Sequence, residues 1–210
     1  MQRIAHFLRW TAKRFWCRSY RWAVFYVPNR YHLPFMLNAR GLFGDGAEVG
    51  VSRGDFSEHL LRYWRGRKLY SIDPWQEFPP DEYHDVANVS QGVQDENHRE
   101  TVERLHVYGA RSEIIRSTSA QAALCFRDGQ LDVVYLDAQH HHEAVTQDLA
   151  LWYPKVRKGG VLAGHDYVNG QMQQGAFGVK SAVDEFARER GLKLMISAEK
   201  DWPSWFVFIP

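Results

Sequence analysis

From residue 46 to the end of the chain, short apolar runs alternate with longer segments of helical periodicity. The apolar runs predict seven strands, at 47–51, 68–73, 112–117, 131–137, 160–165, 192–197 and 205–209. The longer segments predict five helices, at 56–64, 96–108, 120–126, 143–153 and 179–190. This alternation is typical of a parallel sheet covered by helices. A short loop around 201–203 joins the last two strands, which predicts a hairpin and therefore an antiparallel strand at one end of the sheet.

The stretch AEVGVSRGDFS, residues 47–57, reads as a buried strand, a glycine turn and the start of a helix. Gly50 permits a sharp turn, and Gly54 leaves room for a ligand to approach the free N–H groups of the helix. Asp73 ends the next strand, where a carboxylate can bind ribose hydroxyls. The pattern predicts a nucleotide site, although a structural glycine turn, common to parallel α/β proteins, explains the loop alone equally well.

The loop favours one kind of nucleotide. Gly50 and Gly54 do not complete the G-x-G-x-x-G pattern that holds a pyrophosphate, and no P-loop lysine follows. Glu48 places a carboxylate where it would repel phosphates and attract an ammonium group. A cationic adenosine ligand without phosphates, S-adenosylmethionine, therefore fits better than a dinucleotide.

Residues 131–167 contain two apolar strands that end in acidic or imidazole groups. Asp137 ends one strand, and His165 with Asp166 ends the next, so their side chains are expected at the sheet edge that carries the glycine turn. Such a donor set suits Mg²⁺ or Mn²⁺. Alternatively, Asp137 caps the following helix and Asp166 is a turn residue.

Three consecutive histidines follow Asp137 in the sequence. His140 is the nearest of them, and an imidazole there can remove a proton from a substrate hydroxyl near neutral pH. Helical continuation would spread the three rings in different directions, so His141 and His142 are read as solvated loop residues.

Length and composition predict one domain of 210 residues in a reducing, cytoplasmic setting, because two distant cysteines, Cys17 and Cys125, cannot form a disulfide framework. No apolar run is long enough to span a membrane. Residues 1–44 carry eight basic groups, no acidic group and many aromatic residues. They are interpreted as a helical extension of a domain at 45–210, serving as a lid, a dimer contact or a peripheral membrane contact. The remaining chain is acidic, which argues against nucleic-acid binding. A homodimer is expected.

Four segments, EVGVSRGDFS, YSIDPW, YLDAQHHHEAVTQDLALWYPKVRKGGVLAGHDY and GVKSAVDEF, together resemble the class I S-adenosylmethionine-dependent methyltransferases. They are most similar to the metal-associated small-molecule O-methyltransferases, a group that includes the macrocin-type sugar methyltransferases. The resemblance covers 46–210. It implies a Rossmann-like three-layer α/β sandwich whose seven-stranded, mostly parallel sheet has the order 3-2-1-4-5-7-6 and an antiparallel last strand.

The resemblance also assigns roles to individual residues. It implies cofactor contacts from residues at the turn and at the following strand ends, namely Glu48, Gly50, Ser52, Gly54, Asp73, Trp75, Ser117, Ser119 and Asp137. It implies a metal bound by Asp137, His165 and Asp166, although His165 departs from the acidic residue found in relatives. Gln139 stands where some relatives have an aspartate base, so the expected base is His140, acting with Asp137.

The expected activity is methyl transfer to a hydroxyl of a phenolic, sugar or natural-product acceptor. Segments 74–90, with Trp75, Phe78 and Tyr83, and 170–178, which is rich in glycine, are candidate lids. Two alternatives remain open: a nicotinamide-dependent oxidoreductase, and a non-catalytic domain that binds an adenosine ligand.

Overall fold

The structure, a computed structural model, describes residues 27–79, 83, 85, 87–172 and 175–210. Its helices are α1 Leu33–Ala39, α2 Asp55–Tyr63, α3 Gln91–Leu105, α4 Ser119–Ala123, α5 His142–Trp152 and α6 Val179–Glu189. Its strands are β1 Asp45–Val49, β2 Lys68–Asp73, β3 Ser112–Arg116, β4 Leu131–Leu136, β5 Val156–Gly164, β6 Asn169–Met172, β7 Gly175–Gly178, β8 Leu194–Ile196 and β9 Trp205–Phe208. Short 3₁₀ turns lie at Arg30–His32, His106–Arg111 and Tyr153–Lys155.

Seven strands form one sheet in the order β3-β2-β1-β4-β5-β9-β8. The first five strands along the chain are parallel, and β9 runs antiparallel to both β5 and β8. Because β8 and β9 are the sixth and seventh predicted strands, the predicted order 3-2-1-4-5-7-6 is confirmed. The terminal hairpin is confirmed as well.

The central strand β4 explains why the sheet is covered on both faces. Every residue of this strand is buried. Val134 and Leu136 join a core formed with α5 and α6, whereas Val133 and Tyr135 join a second core formed with α1 and α2. Alternate residues of a strand point to opposite faces, so an apolar run without alternation needs a helical layer on each side. The result is the predicted three-layer sandwich.

The described part of the N-terminal extension, 27–44, packs on the domain. Val27, Leu33 and Leu37 are almost fully buried in the core that α2 covers, and the Val27 carbonyl accepts a hydrogen bond from Ala198 N at 3.1 Å. The basic and aromatic residues of 1–26, together with Cys17, lie outside the described residues. Among the residues that are described, no helix is long and apolar enough to cross a membrane.

Two elements differ from expectation. A hairpin of β6 and β7 occupies the segment read as a glycine-rich lid. Its strands are short and contain no β-branched residue, so the usual strand signal is absent from them. Helix α3 begins at Gln91, five residues before the predicted start. Its first turn is closed by hydrogen bonds from Val93 N and Gln94 N to the Ser90 carbonyl. The residues of this turn are mostly polar and show no helical periodicity, so the sequence pattern does not mark the start.

Candidate active site

The glycine turn after β1 touches the end of β4. Gly50 has φ of +88°, and a Cβ there would lie 2.0 Å from the Asp137 carbonyl oxygen. Gly54 has φ of +79° at the start of α2, where a Cβ would lie 3.1 Å from Thr101 Cγ2. Positive φ and close backbone approach both require glycine. The turn expected to bind the nucleotide is therefore adjacent to the residue expected to bind a metal.

Asp73 at the end of β2 holds this turn in place. One carboxylate oxygen accepts hydrogen bonds from Val51 N at 2.8 Å and Ser52 N at 3.0 Å. The other accepts from Trp75 N at 2.7 Å. Ser52 adopts φ of +52°, a strained conformation that these bonds stabilise. Asp73 thus lies at the predicted position, beside the turn.

Trp75 stabilises the glycine turn through a hydrogen bond to its backbone. Its indole N–H donates to the Ser52 carbonyl at 2.7 Å, and its ring packs against His98 with 4.7 Å between centroids. Thr101 Oγ1 donates to the same carbonyl at 3.0 Å. The Trp75 side chain is fully buried, so it offers no surface with which to cover an adenine or a substrate.

Glu48 lies inside the sheet layer and not on the surface of the turn. Only 1% of the residue is exposed, and its carboxyl accepts a hydrogen bond from Ser57, which also contacts Ser71 at 2.7 Å. Burial raises the pKa of Glu48 to about 8, against the opposing effect of the Ser57 hydrogen bond. The carboxyl is therefore protonated at neutral pH. Burial favours the neutral form of a carboxyl, so the attraction of an ammonium group to Glu48 stays a prediction.

Ser117 and Ser119 follow β3 and have different surroundings. Ser117 is half-buried, and its N–H donates to the Asp73 carbonyl at 3.1 Å, which places it at the same sheet edge. Ser119 donates to Asp148 at 2.5 Å and accepts from the Trp152 indole at 2.9 Å. It therefore ties α4 to α5. Burial raises the pKa of Asp148 to about 6.

A row of six side chains, in which basic and acidic residues alternate, runs along this edge; we call it the charged row. The successive distances between its members are 3.0, 3.9, 2.8, 2.9 and 2.8 Å. Four members were expected from the sequence, and the structure brings them together. In order, the row consists of Arg30, Asp137, His165, Asp166, His140 and Asp85.

His140 lies between two carboxylates and stacks on Phe177, with 4.8 Å between ring centroids. Nδ1 is 2.8 Å from Asp85 Oδ2, and Nε2 is 2.9 Å from Asp166 Oδ2. Burial alone would lower the pKa of His140, but the two carboxylates outweigh it and raise this pKa to about 10. The imidazole is consequently a cation at neutral pH. His142 instead contacts Glu185 at 3.0 Å on α6.

Asp166 adopts φ of +51°, which is uncommon for a residue with a side chain and directs its carboxylate into the charged row. Burial works to raise the pKa of Asp166, yet its contacts with His140 and His165 lower it well below its usual range. Burial raises the pKa of Asp137, opposed by the nearby histidines and Arg30. The pKa values of Asp137 and Asp166 are therefore shifted in opposite directions, although both residues belong to the charged row.

Asp137, His140 and Asp166 each present one potential metal-binding atom, and these atoms lie within 4.8 Å of one another. The grouping includes His140 and not the expected His165, whose Nδ1 faces Asp166 Oδ1 at 2.8 Å. His140 Nε2 is buried and makes no well-aligned hydrogen bond within the described residues. Two carboxylates and an imidazole nitrogen are a donor set that suits a divalent cation.

Arg30 and Asp85, at the two ends of the charged row, were missed by sequence reasoning. Arg30 is 107 residues from its partner Asp137, and Asp85 is 55 residues from His140. Arg30 looked like one more basic group of the extension, and Asp85 like one more acid of a loop. The sequence signal is that 74–90 is a candidate lid, and Asp85 of this segment lies at the site.

Residues 47–167 match a family model described as a methyltransferase domain, and the match covers more than half of the chain. The chain belongs to this methyltransferase family. The matched region begins in β1, ends just after Asp166 and contains the glycine turn, Asp73 and most of the charged row. The resemblance to methyltransferases is thereby confirmed, and the oxidoreductase alternative is set aside. No curated protein matches the sequence.

Solved structures share the fold of this methyltransferase. A Staphylococcus aureus protein described as a caffeoyl-CoA O-methyltransferase is 11% identical, with 84% of this chain and 80% of that chain covered and a TM-score of 0.59. The O-methyltransferase TomG from Streptomyces achromogenes, solved with S-adenosylmethionine, is 14% identical, with coverages of 86% and 79% and a TM-score of 0.57. A Bacillus cereus O-methyltransferase solved with S-adenosylhomocysteine is 14% identical, with coverages of 85% and 79% and a TM-score of 0.57.

Proposed function

We propose that this methyltransferase transfers the methyl group of S-adenosylmethionine to a hydroxyl oxygen of a small molecule. The observation that carries the proposal is the packing of Gly50 against the Asp137 backbone, which joins the cofactor turn to the charged row. Methyl donor and acceptor must meet in line for displacement at the methyl carbon, and this contact supports the proposal that their two expected sites are neighbours. The O-methyltransferases that share the fold support the choice of oxygen as acceptor atom.

The cofactor is expected to lie over the glycine turn. Gly50 and Gly54 allow the tight turn that packs against Asp137 and Thr101, and the first N–H groups of α2 point toward the turn. Asp73 and Ser117 lie together at the adjoining strand ends, where the ribose and adenine are expected. S-adenosylmethionine carries no phosphate, which agrees with a turn that lacks the pyrophosphate glycines.

The residues of the charged row fit a divalent cation such as Mg²⁺ or Mn²⁺. Asp137, His140 and Asp166 would hold it, since their ligand atoms are close together and His140 Nε2 lacks a well-aligned partner among the described residues. A bound divalent cation would lower the pKa of an acceptor hydroxyl. The imidazole nitrogen in the set favours Mn²⁺ over Mg²⁺.

His140 is the proposed base when no cation is bound, because Nδ1 faces Asp85 and a ring nitrogen that holds a cation cannot also accept a proton. Asp85 and Asp166 raise the pKa of His140 to about 10, so most of the protein carries a protonated imidazole at neutral pH. A protonated imidazole cannot accept a proton from the acceptor hydroxyl. If His140 is the base, the rate of methyl transfer rises with pH until about 10.

Calorimetry and an acceptor assay test the proposal together. We expect the full chain to bind S-adenosylhomocysteine but not NAD, and to methylate members of a phenolic and sugar panel. We expect Asp137→Ala to bind S-adenosylhomocysteine as the unsubstituted chain does. Its rate of methyl transfer should fall about 100-fold or more. The control is Asp128→Ala, an exposed acid paired with Lys155. NAD binding, or full activity of Asp137→Ala, would contradict the assignment.

We further propose that residues 1–44 form an extension of the catalytic domain at 45–210 and mediate dimerisation. Three aromatic side chains of the described surface, Tyr31, Phe35 and Tyr63, are between 42% and 46% exposed. Phe35 packs on Tyr63, and Tyr31 and Tyr63 both pack on His59. Light scattering of the full chain and of Phe35→Ser tests the dimer. Binding of the monomer to anionic vesicles would instead indicate a peripheral membrane contact.

A further inference from the structure

Arg30 is held firmly at the end of the charged row. It begins a 3₁₀ turn that the Asn29 side chain caps by accepting from Tyr31 N. Its guanidinium lies 5.5 Å from the centre of the Tyr31 ring and 5.3 Å from that of Phe56, contacts typical of cation–π pairs. Only 25% of its side chain is exposed. The turn and the rings together fix where the charge is placed.

The guanidinium contacts a carboxylate that the proposed metal site needs. Arg30 Nη1 lies 3.0 Å from Asp137 Oδ2, whereas Asp137 Oδ1 is directed toward His165 at 3.9 Å. Burial works to lower the pKa of Arg30, but the charge of Asp137 together with the contacts of Tyr135 and Tyr31 raises it, so Arg30 stays positive. A divalent cation at Asp137 would stand close to this fixed positive charge, and like charges in a partly buried site repel strongly.

We propose that Arg30 is a positioning residue that acts as an internal cation: it competes with a divalent metal ion for Asp137 and so sets the metal affinity of the site. The inference rests on the metal site of the proposed function. Arg30 neutralises Asp137 without a metal, which offsets the cost of burying that carboxylate. The N-terminal segment thereby controls how readily the catalytic edge takes up a cation.

Binding of Mn²⁺ to the full chain, without acceptor, tests this competition. Free Mn²⁺ is counted by electron paramagnetic resonance, and calorimetry gives the affinity independently. Arg30→Gln removes the charge and keeps a stem that can pack on Phe56, while Arg30→Lys keeps the charge. Arg62→Gln is the matched control, because Arg62 is an exposed arginine on α2. We expect Arg30→Gln to bind Mn²⁺ at least about tenfold more tightly than the unsubstituted chain, and Arg62→Gln to bind it unchanged.

Other outcomes overturn the proposal. Equal or weaker Mn²⁺ affinity in Arg30→Gln would show that Arg30 does not compete, and an equal gain in Arg62→Gln would indicate a general charge effect. No Mn²⁺ binding in any variant would remove the metal site. Binding of S-adenosylhomocysteine is measured on the same samples. Retained binding separates failure of the competition from failure of the proposed methyltransferase function, and it shows that each variant is folded.

Discussion

Replacing Glu48 by glutamine removes a buried group that can titrate while keeping nearly the same side-chain shape. Glu48 is 1% exposed, and burial raises its pKa from 4.5 to about 8. Below about pH 4.5 both the folded and the unfolded chain hold this proton, so its contribution to stability is fully present. Between about pH 4.5 and 8 the unfolded chain releases the proton and the folded chain does not. Stability therefore falls by about 1.4 kcal/mol per pH unit, and by about 5 kcal/mol in total above pH 8.

Urea unfolding at intervals from pH 5 to pH 9 measures this effect. The difference in unfolding free energy between the unsubstituted chain and Glu48→Gln isolates it, because the other titrating groups are common to both proteins. We expect the difference to change by about 4 kcal/mol over this range in favour of the glutamine variant at high pH. The glutamine oxygen can still accept from Ser57. Parallel pH profiles would refute the reasoning, since they would mean that Glu48 titrates alike in both states.

Two further substitutions test the turn and the charged row. Gly50→Ala should lower the free energy of unfolding in urea by about 3 kcal/mol or more, because the added carbon would lie 2.0 Å from the Asp137 carbonyl oxygen. Gly92→Ala, at an open helical position, should raise it by up to about 1 kcal/mol. Equal effects of the two substitutions would contradict the role of Gly50 in the turn. Asp85→Asn removes one of the two carboxylates that raise the pKa of His140, so the rise of methyl transfer with pH should move to lower pH. An unchanged profile would exclude His140 as the base.

The strands of the sheet were predictable because each strand carries its own signal, whereas their order was implied by the resemblance to class I methyltransferases. The run of β4 is apolar throughout, which required helices on both faces, and the short link between β8 and β9 required a hairpin. Handedness and short connections then leave few arrangements of parallel strands. The hairpin of β6 and β7 escaped prediction since its strands are glycine-rich and pair only locally.

The candidate site divides in a similar way. Asp137, His165 and Asp166 were predicted to meet because they end neighbouring parallel strands, and the structure places them in one row. What each residue does within that row was less predictable. His140 is a cation because Asp85 comes to it from a loop 55 residues away. The selection of His140 in place of His165 for the potential metal set also depends on side-chain directions.

By itself the sequence determined the α/β class, the glycine turn and the sheet edge at which the acidic residues collect. These properties follow from local periodicity and from the rule that parallel strands end on one side. Only the tertiary structure decided the charges. Burial made Glu48 neutral, two carboxylates made His140 a cation, and Arg30 reached Asp137 from a segment 107 residues away. A protonation state depends on desolvation and on neighbours in space, and both are known only from the folded structure.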